Sequence, residues 1–285
     1  KIVLPAGFIA SLRCLLTEPE LDPALVALML ELPGERTLLE EIDSVDPGLL
    51  QQVCQSVKQQ LARELRAELL IRYAQLNDGE PYRYDSIEVA QRSLKNVCLS
   101  YLAELDEPMV GEMLANQYAR ADNMTDRLAA LKALVNRDGG EAQLADFAAR
   151  WQDDALVMDK WFMVQPLRAA PDRAVARARE LAAHPDFDWK NPNRFRALIG
   201  GLTANHAGFH AADGSGYDFL AEWLMRLDPV NPQTTARMCS AFETVSRYDA
   251  GRQAHARSAL ERIAALPGLS RNSSEMVTRI LAGLN

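Results

Sequence analysis

Apolar residues recur along the chain at intervals of three and four positions, which is the spacing of one face of an α-helix. This spacing relates Met124, Leu128, Leu131 and Val135, and likewise Leu144, Phe147 and Trp151, and Met276, Ile280 and Leu284. The longest stripe, within residues 49–76, carries Leu61, Leu65, Leu69 and Leu76. No segment of useful length alternates apolar and polar residues as a half-buried strand does. The pattern predicts an all-α fold.

Helix starts are marked by a cap residue followed directly by proline. The Asp or Asn side chain accepts unpaired N–H groups of the first turn, and proline at the first helical position loses no hydrogen bond. The pattern occurs at Asp22-Pro23, Asp46-Pro47, Asn191-Pro192 and Asn231-Pro232. Two further starts, Asp85-Ser-Ile-Glu88 and Asn272-Ser-Ser-Glu275, resemble capping boxes, in which glutamate follows the cap by three positions. We predict that a helix begins at each of these sites.

Two glycine-containing segments are expected to interrupt the helical pattern. Gly139-Gly140 is a helix breaker, and the Asp-Gly-Ser-Gly-Tyr sequence at 213–217 is a turn signal. Successive backbone N–H groups of the second segment are also capable of forming an anion-binding nest. Such a sequence is more often simply a turn.

Short turns between successive helices favour antiparallel packing of neighbours. Helical hairpins of this kind stack into a curved, two-layer array like HEAT or armadillo repeats. No fixed sequence period emerges. We therefore predict an irregular two-layer superhelical (HEAT/armadillo-like) array of antiparallel helices, forming one domain over residues 1–285, with a minor subdivision near 121–140 as the candidate boundary. The concave side of such an array is available as a wall or lid.

Composition excludes some classes of function. Hydrophobic residues make up 48% of the 285 residues and aromatic residues only 7%, which favours helices over sheets. The net charge is −8, with acidic and basic residues interspersed, which argues against a nucleic-acid-binding face. No run of eighteen apolar residues predicts a membrane span. The opening segment is a poor signal peptide, and because it lacks an initiating Met we expect the chain to begin partway through a longer protein.

The four cysteines indicate a cytoplasmic protein. Cys14, Cys54, Cys98 and Cys239 are far apart and form no Cys-x-x-Cys pair. Nothing supports the secreted context that a disulfide framework requires. We expect reduced cysteines in the core.

The chemistry of a complete enzyme is missing. The sequence contains no His-Glu-x-x-His zinc motif, no Gly-x-Ser-x-Gly elbow, no P-loop and no dinucleotide fingerprint. His206 and His210, four residues apart, would share a helix face and could in principle hold a metal. Gly208 lies between them and no glutamate follows His206, so we expect surface or loop histidines near a helix end. The four tryptophans are expected to be packing anchors.

Several motifs, in consistent order, carry a resemblance to a known family. They are MDKWF (158–162), NPNRFRALIG (191–200), FHAADGSGY (209–217), NPQ (231–233), RYDAGRQ (247–253) and a tail helix ending in Leu284-Asn285. The chain resembles the C-terminal domain of bacterial aminopeptidase N, the alanyl aminopeptidases among the M1 zinc metallopeptidases. The similarity runs through the whole chain and is clearest from about Val135 onward.

The resemblance implies a non-catalytic role for this chain. In the family, zinc and the catalytic residues sit in an upstream thermolysin-like domain, which is the partner of the helical domain within the same polypeptide. The helical domain closes over the active site, encloses a cavity that short peptides must enter, and lends side chains to it. Matched residue by residue, the resemblance implies that Arg196, Gln233 and Arg237 contact substrate. It implies no catalytic residue and no metal ligand in this chain.

Elementary chemistry is compatible with those three roles. Gln233 can both donate to and accept from a peptide backbone, and Arg237, four residues later, lies on the same helix face. Arg196 can make a charge-assisted hydrogen bond to a peptide carboxylate. The alternative is that each arginine ties helices to acidic neighbours inside the domain.

Two other classes of function remain open from the sequence. One is a stand-alone helical scaffold that binds a partner protein, which an exposed apolar face would favour. The other is a small hydrolase with an unrecognised site, which would require metal binding and dependence on His206 or His210.

Overall fold

The regular elements are all helical in the computed structural model, which describes residues 2–77, 79, 81–137 and 139–284. The first helices are α1 (Ala6–Thr17), α2 (Pro23–Met29), α3 (Glu35–Glu40), α4 (Pro47–Glu64), α5 (Arg66–Gln75), α6 (Ser86–Leu102), α7 (Pro108–Arg120), α8 (Met124–Asn136) and α9 (Glu141–Trp151). The others are α10 (Ala155–Arg168), α11 (Pro171–Ala182), α12 (Pro192–Ala204), α13 (His206–Phe209), α14 (Ser215–Leu227), α15 (Pro232–Met238), α16 (Ala250–Ala264) and α17 (Arg271–Ala282). Two 3₁₀ turns, Cys239–Phe242 and Val245–Arg247, lie between α15 and α16. The all-α prediction is confirmed.

The four cap-then-proline pairs begin helices as predicted. In α2, α4, α12 and α15 proline is the first helical residue. In each, an oxygen of the preceding Asp or Asn side chain accepts a first-turn N–H at 2.7–3.0 Å. These starts were predictable because the cap residue and the N–H groups that donate to it are neighbours in sequence.

The predicted capping box at α6 is half right. Asp85 Oδ1 accepts the N–H groups of Ile87 at 2.8 Å and Glu88 at 3.3 Å, so Asp85 is the cap. The Glu88 carboxylate does not return to the N–H of Asp85. It accepts instead from the backbone N–H of Arg83 at 3.1 Å and from Arg83 Nε at 2.6 Å. The Glu88 carboxylate thus binds Arg83, through one neutral and one charged donor, instead of the cap residue.

The predicted capping box at the last helix is wrong by two residues. The cap of α17 is Ser270, not Asn272, and the helix begins at Arg271. The Ser270 N–H and Oγ both donate to the Asp228 carboxylate at 2.7 Å. This tertiary anchor holds Ser270 in an extended conformation (φ −61°, ψ 152°) just before the helix. The anchor is 42 residues away in sequence, so local reading misplaced the start.

The long leucine stripe spans two helices rather than one. Leu65 has φ −109° and ψ 13°, so the backbone departs from helical geometry between α4 and α5. Leu61, Leu65 and Leu69 are all buried. The apolar stripe therefore continues across the bend even though the helix does not.

The chain forms two compact units. The first comprises Lys1–Gly34 and Gln52–Leu144, and the second comprises Glu35–Gln51 and Ala145–Asn285. The chain passes from one unit to the other three times: between Gly34 and Glu35, within α4 and within α9. The prediction of one domain over 1–285 stays a prediction. Asn285, and Asp138 within the predicted subdivision near 121–140, lie outside the described residues.

The first unit is built around α6. Helices α2, α5 and α8 pack against α6, α7 packs on α8, and α1 packs on α5. The α6 face toward these helices buries Leu94, Cys98, Leu99 and Leu102. The Tyr101 hydroxyl on α6 donates to the carbonyl oxygen of Leu30 at 2.6 Å and so ties the end of α2 to this core. Gly140, at φ 87°, supplies the predicted break between α8 and α9.

In the second unit, the main contacts join a helix to the second helix after it in the chain. The main pairs are α10 with α12, α14 with α16, and α15 with α17. The interior is rich in fully buried rings: Phe147, Phe162, Phe195, Phe209, Tyr217, Phe219 and Phe242. The tryptophans take part as predicted. Trp161 contacts Phe162 edge-on with ring centroids 5.0 Å apart, and Trp223 meets Phe187 at 5.3 Å.

The prediction of core cysteines holds for only part of the set. Cys98 and Cys239 are fully buried, and burial raises the pKa of each thiol to about 12. Cys54 is half-buried, and Cys14 is exposed on α1, so the prediction is wrong for Cys14. None of the helices among the described residues has the length and apolarity to cross a membrane.

Candidate functional site

Arg196 lies on the exposed side of the first turns of α12. Its Nε donates to the carbonyl oxygen of Pro192 at 3.1 Å, and its Nη2 donates to Asn193 Oδ1 at 2.6 Å. Both partners belong to the same helix. The guanidinium is thus held by its own helix and makes no ion pair with a described residue, so the alternative of a helix-tying arginine does not describe Arg196.

That alternative does describe Arg194, two positions earlier. Arg194 is 7% exposed, and its Nε donates to Asp159 Oδ1 at 2.5 Å. Its Nη1 donates to the carbonyl oxygen of Asp186 at 2.7 Å, and its guanidinium stacks 4.6 Å from the centre of the Phe162 ring. Arg194 therefore fastens α12 to α10 and to the segment after α11. The two arginines of one motif have different roles.

Gln233 and Arg237 lie one turn apart on the exposed face of α15. Neither side chain forms a hydrogen bond or an ion pair with a described residue. The opposite face of the helix is fixed by Thr235, which is fully buried and donates from Oγ1 to the carbonyl oxygen of Asn231 at 3.1 Å. A firmly packed helix thus presents an amide and a guanidinium side by side, both free to bind another molecule.

The structure brings two of the three predicted contact residues together. Gln233 and Arg237 share a face of α15, whereas Arg196 is on α12. Helices α12 and α15 both pack against α14, which is their common support. Within the described part of the chain no hydrogen bond links Arg196 to the α15 pair.

His206 and His210 are not surface histidines, so that expectation is wrong. His210 is 2% exposed, and its Nδ1 lies 2.9 Å from the Tyr217 hydroxyl. The His206 Nε2 lies 2.6 Å from the Tyr248 hydroxyl, and the two imidazole centroids are 4.7 Å apart. The histidines form an interior polar cluster with two tyrosines. Tyr217 belongs to the FHAADGSGY motif and Tyr248 to the RYDAGRQ motif.

The environment of the cluster keeps both imidazoles neutral. Burial lowers the pKa of His206 to about 4 and that of His210 well below its ordinary value. Burial also raises the pKa of Tyr248 to about 12. The Nδ1 of His206 is buried without a hydrogen bond, 3.5 Å from the Glu35 carboxylate, whose pKa burial raises.

The histidine pair does not suit a metal ion. One nitrogen of each ring is engaged by a tyrosine hydroxyl. Across the described ranges no group of three or more His, Cys, Asp or Glu side chains is arranged to hold a metal. A catalytic zinc requires three protein ligands and an open position.

The two arginines of the RYDAGRQ motif also make contacts inside the fold. Arg252 is buried, donates from Nε to the carbonyl oxygen of His210 at 2.6 Å, and pairs through Nη1 with Asp46 at 2.9 Å. Arg247 Nη1 donates to the carbonyl oxygens of Leu39 at 2.5 Å and Ile42 at 3.2 Å. These arginines anchor the segment 35–51, a role that the sequence reading missed because their partners are about 200 positions away.

The predicted interruption at 213–217 is confirmed at Asp213 and Gly214, whereas Ser215, Gly216 and Tyr217 already belong to the first turn of α14. Gly214 has φ 73°, and Asp213 Oδ1 accepts from the N–H of Ser215 at 3.0 Å and from its Oγ at 2.7 Å. The Ser215 N–H needed for an anion nest is thus occupied within the turn. Gly216 has a packing role, since a Cβ at that position would lie 2.1 Å from the carbonyl oxygen of Phe209.

The regular elements of the described residues are helices that pack on one another, and they define an all-helical, repeat-like structural class. The chain matches over residues 1–282 the family described as "Domain of unknown function (DUF3458_C) ARM repeats". The chain belongs to this family. The armadillo-like fold prediction is thereby confirmed.

Relatives connect the family to aminopeptidases. The chain is 38% identical over 282 residues to aminopeptidase N of Escherichia coli (strain K12), covering 98% of this chain and 32% of that protein. It is 38% identical over 283 residues to aminopeptidase N of Haemophilus influenzae, covering 96% of this chain and 31% of that protein. A solved structure, Legionella pneumophila aminopeptidase A in complex with aspartic acid, superposes with a TM-score of 0.88 at 30% identity, over 99% of this chain and 34% of that one.

These matches confirm the resemblance to the C-terminal part of bacterial aminopeptidase N. The chain spans about a third of the length of the curated relatives that it matches. It is homologous to one part of a larger peptidase polypeptide.

Proposed function

We propose that this chain is the C-terminal helical domain of a zinc-dependent, cytoplasmic aminopeptidase and that it encloses the active site rather than cleaving bonds. The observation that carries the proposal is the match over nearly the whole chain to a third of aminopeptidase N. The other two thirds of such a protein are long enough to hold a complete catalytic domain.

Zinc would be bound outside this chain. The sequence has no His-Glu-x-x-His motif, and the only histidines at helical spacing are engaged with tyrosines. When bound in the upstream domain, zinc would activate the water that attacks the peptide carbonyl. The residues of this chain would restrict and orient the peptide that reaches that water.

Arg196, Gln233 and Arg237 would supply the contacts to substrate. Support comes from their exposure and from the lack of any described partner for Gln233 and Arg237. A guanidinium binds a peptide carboxylate by charge-assisted hydrogen bonds, and an amide pairs with the peptide backbone. A domain that surrounds the entrance with such groups would admit short peptides and flexible ends, and would gate larger ones.

The test is steady-state kinetics of the complete enzyme carrying Arg196→Ala. We expect KM for short peptides to rise more than KM for aminoacyl arylamides, because arylamides have no free carboxylate for Arg196 to bind. Arg271→Ala, an exposed arginine at the start of α17, is the matched control and should leave both values unchanged. Equal increases for both substrate types would exclude carboxylate binding by Arg196.

A stand-alone scaffold for protein–protein interaction is the alternative. It is favoured by the outer face of α2, where Leu25, Leu28 and Met29 are 49%, 66% and 51% exposed. An apolar face of this kind marks an interaction surface. In the domain proposal, the same face would contact other parts of the aminopeptidase polypeptide.

A further inference from the structure

The first unit contains a polar cavity of about 940 Å³ between α5, α6 and α7. The helical residues that line it include Tyr73, Gln91, Lys95, Asn116, Gln117 and Arg120. None of them belongs to the motifs of the resemblance or to the proposed substrate contacts. A volume of this size accommodates a small molecule.

The floor of the cavity is a buried hydrogen-bonded network. Lys95 Nζ donates to Asp126 Oδ2 at 2.7 Å, and these residues are 8% and 4% exposed. The Asp126 carboxylate also accepts from Asn96 Nδ2 at 2.8 Å and from Asn123 Nδ2 at 3.1 Å. Gln117 completes the floor by donating to Asn96 Oδ1 at 2.8 Å. The only carboxylate of the floor is therefore surrounded by donors.

Lys95 retains unused donors in this buried position. Its ammonium has three N–H groups, and Asp126 is its one hydrogen-bond partner among the described residues. A buried ammonium that faces a cavity with spare N–H groups favours an acceptor from outside, because unpaired buried donors are costly.

The walls add further donors. Gln91, Asn116 and Arg120 line the cavity, and none of these side chains has a hydrogen-bond partner within the described ranges. Gln91 follows the first turn of α6, whereas Asn116 and Arg120 lie one turn apart on α7. An amide on each helix and a guanidinium beside them converge on the same space as Lys95.

The carboxylates of the described lining are already engaged. Glu88 is paired with Arg83 at 2.6 Å and Arg92 at 3.3 Å. Asp122 accepts from the N–H of Tyr82 at 2.7 Å, and Asp85 caps α6. Arg83 and Arg92 are in turn engaged with Glu88, so the unspent donors of the described lining include Arg120, the amides of Gln91 and Asn116 and the spare N–H groups of Lys95, while its four basic residues equal its four acidic ones. Such a surface suits a ligand with one negative charge better than a doubly charged phosphate.

We propose that this cavity binds a small molecule through a carboxylate, held by Lys95 and Arg120, with Gln91 and Asn116 pairing to its amide or amine groups. Free amino acids and short peptides share this chemistry. The site goes beyond the enclosure role and does not depend on it, because it lies within the first unit and none of its residues is a proposed contact in the second.

The test is isothermal titration of the purified 285-residue chain with glycine, triglycine, triglycine amide and inorganic phosphate. We expect saturable binding of glycine or triglycine, and at least tenfold weaker binding of triglycine amide and phosphate. Glycine binding as tightly as triglycine would assign the site to free amino acids. Triglycine binding about tenfold more tightly would assign it to peptides.

Variants locate the binding event. Arg120→Ala, at an exposed position, should weaken binding about tenfold or more without altering the thermal unfolding midpoint. Gln91→Ala should weaken it in the same direction, and Arg271→Ala should not change it. The proposal would be overturned if neither carboxylate probe bound, if the amide or phosphate bound equally well, or if Arg120→Ala and Arg271→Ala bound alike.

Discussion

The Nε2 of His206 lies 2.6 Å from the hydroxyl of Tyr248, 42 positions later in the chain, inside a cluster in which His210 is buried and His206 is partly buried. The cluster does not suit a metal ion. Its contribution to the free energy of unfolding depends on pH. Its neighbours are Glu35, Tyr217, Arg252 and, through Arg252, Asp46 and Asp249.

We expect the free energy of unfolding to fall as pH is lowered from about 6.5 to about 4. His206 has its pKa lowered from 6.5 to about 4, so in this window the unfolded chain binds more protons than the folded one, and acid favours unfolding. His206 alone would contribute at most roughly 3 kcal/mol, and His210 acts in the same direction. The raised pKa of Glu35 opposes this loss at the acid end.

Urea unfolding at a series of pH values measures this dependence. His206→Gln should flatten it, whereas His255→Gln, at an exposed histidine, should leave it unchanged. Stability that stays constant or rises between pH 6.5 and 4 would contradict the account of a neutral buried pair.

Gly216→Ala should destabilise the fold by about 2 kcal/mol or more, because the new Cβ would lie 2.1 Å from the Phe209 carbonyl oxygen. Gly200→Ala is the matched control, since nothing lies within 4 Å of a Cβ in that position of α12. It should be neutral or stabilising by up to about 1 kcal/mol. Thermal unfolding of the two variants compares them directly, and equal midpoints would disprove the close approach.

Substitutions of the two arginines of α12 should differ in their effect on the free energy of unfolding. Arg194→Met should cost about 2–4 kcal/mol, since it leaves the part-buried Asp159 carboxylate and the carbonyl oxygens of Asp186 and Ala155 without their donor. Arg196→Met should change stability by less than about 0.5 kcal/mol. Chemical denaturation checks both values. If Arg196→Met were the more destabilising variant, the assignment of these two residues would be reversed.

In the complete enzyme, Arg237→Ala should raise KM for short peptides about tenfold while kcat changes little, because the lost contact binds substrate and transition state alike. Gln233→Ala should have a smaller effect, since a neutral hydrogen bond is weaker than a charge-assisted one. Initial-rate measurements on a tripeptide series test both. A fall in kcat with KM unchanged would place Arg237 in a different role.

Removal of the metal should affect the activity of the complete protein but not the stability of this chain. A zinc chelator should abolish the aminopeptidase activity of the complete protein, whereas the unfolding midpoint of the 285-residue chain should not move. Calorimetry with and without chelator makes the comparison. A lowered midpoint for the isolated chain would reveal a metal site that its described residues do not form.

Local chemistry made the helix starts predictable. Asp22, Asn191 and Asn231 cap their helices because the N–H groups that they accept are two or three positions away. The misplaced start at Ser270 and the bend at Leu65 depend instead on contacts with distant parts of the chain or on backbone geometry. Periodicity identifies helices well and their ends less well.

The contacts that the motif residues make inside the fold could not be predicted from the sequence for a similar reason. The partners of His206 include Glu35 and Tyr248, and the partner of Arg252 is Asp46. These pairs meet only after the chain has folded, so histidines that looked superficial are buried. Exposed Gln233 and Arg237, by contrast, were recognisable from the motif and their spacing along one helix face, although their role as substrate contacts stays a prediction.

The most direct measurement of the central claim is an immunoblot of source cells with an antibody raised against this chain, combined with an activity assay of the captured protein. The account predicts a band about three times heavier than 31.6 kDa that copurifies with zinc-dependent aminopeptidase activity. A sole band near 31.6 kDa without that activity would contradict it and would favour a free-standing helical scaffold.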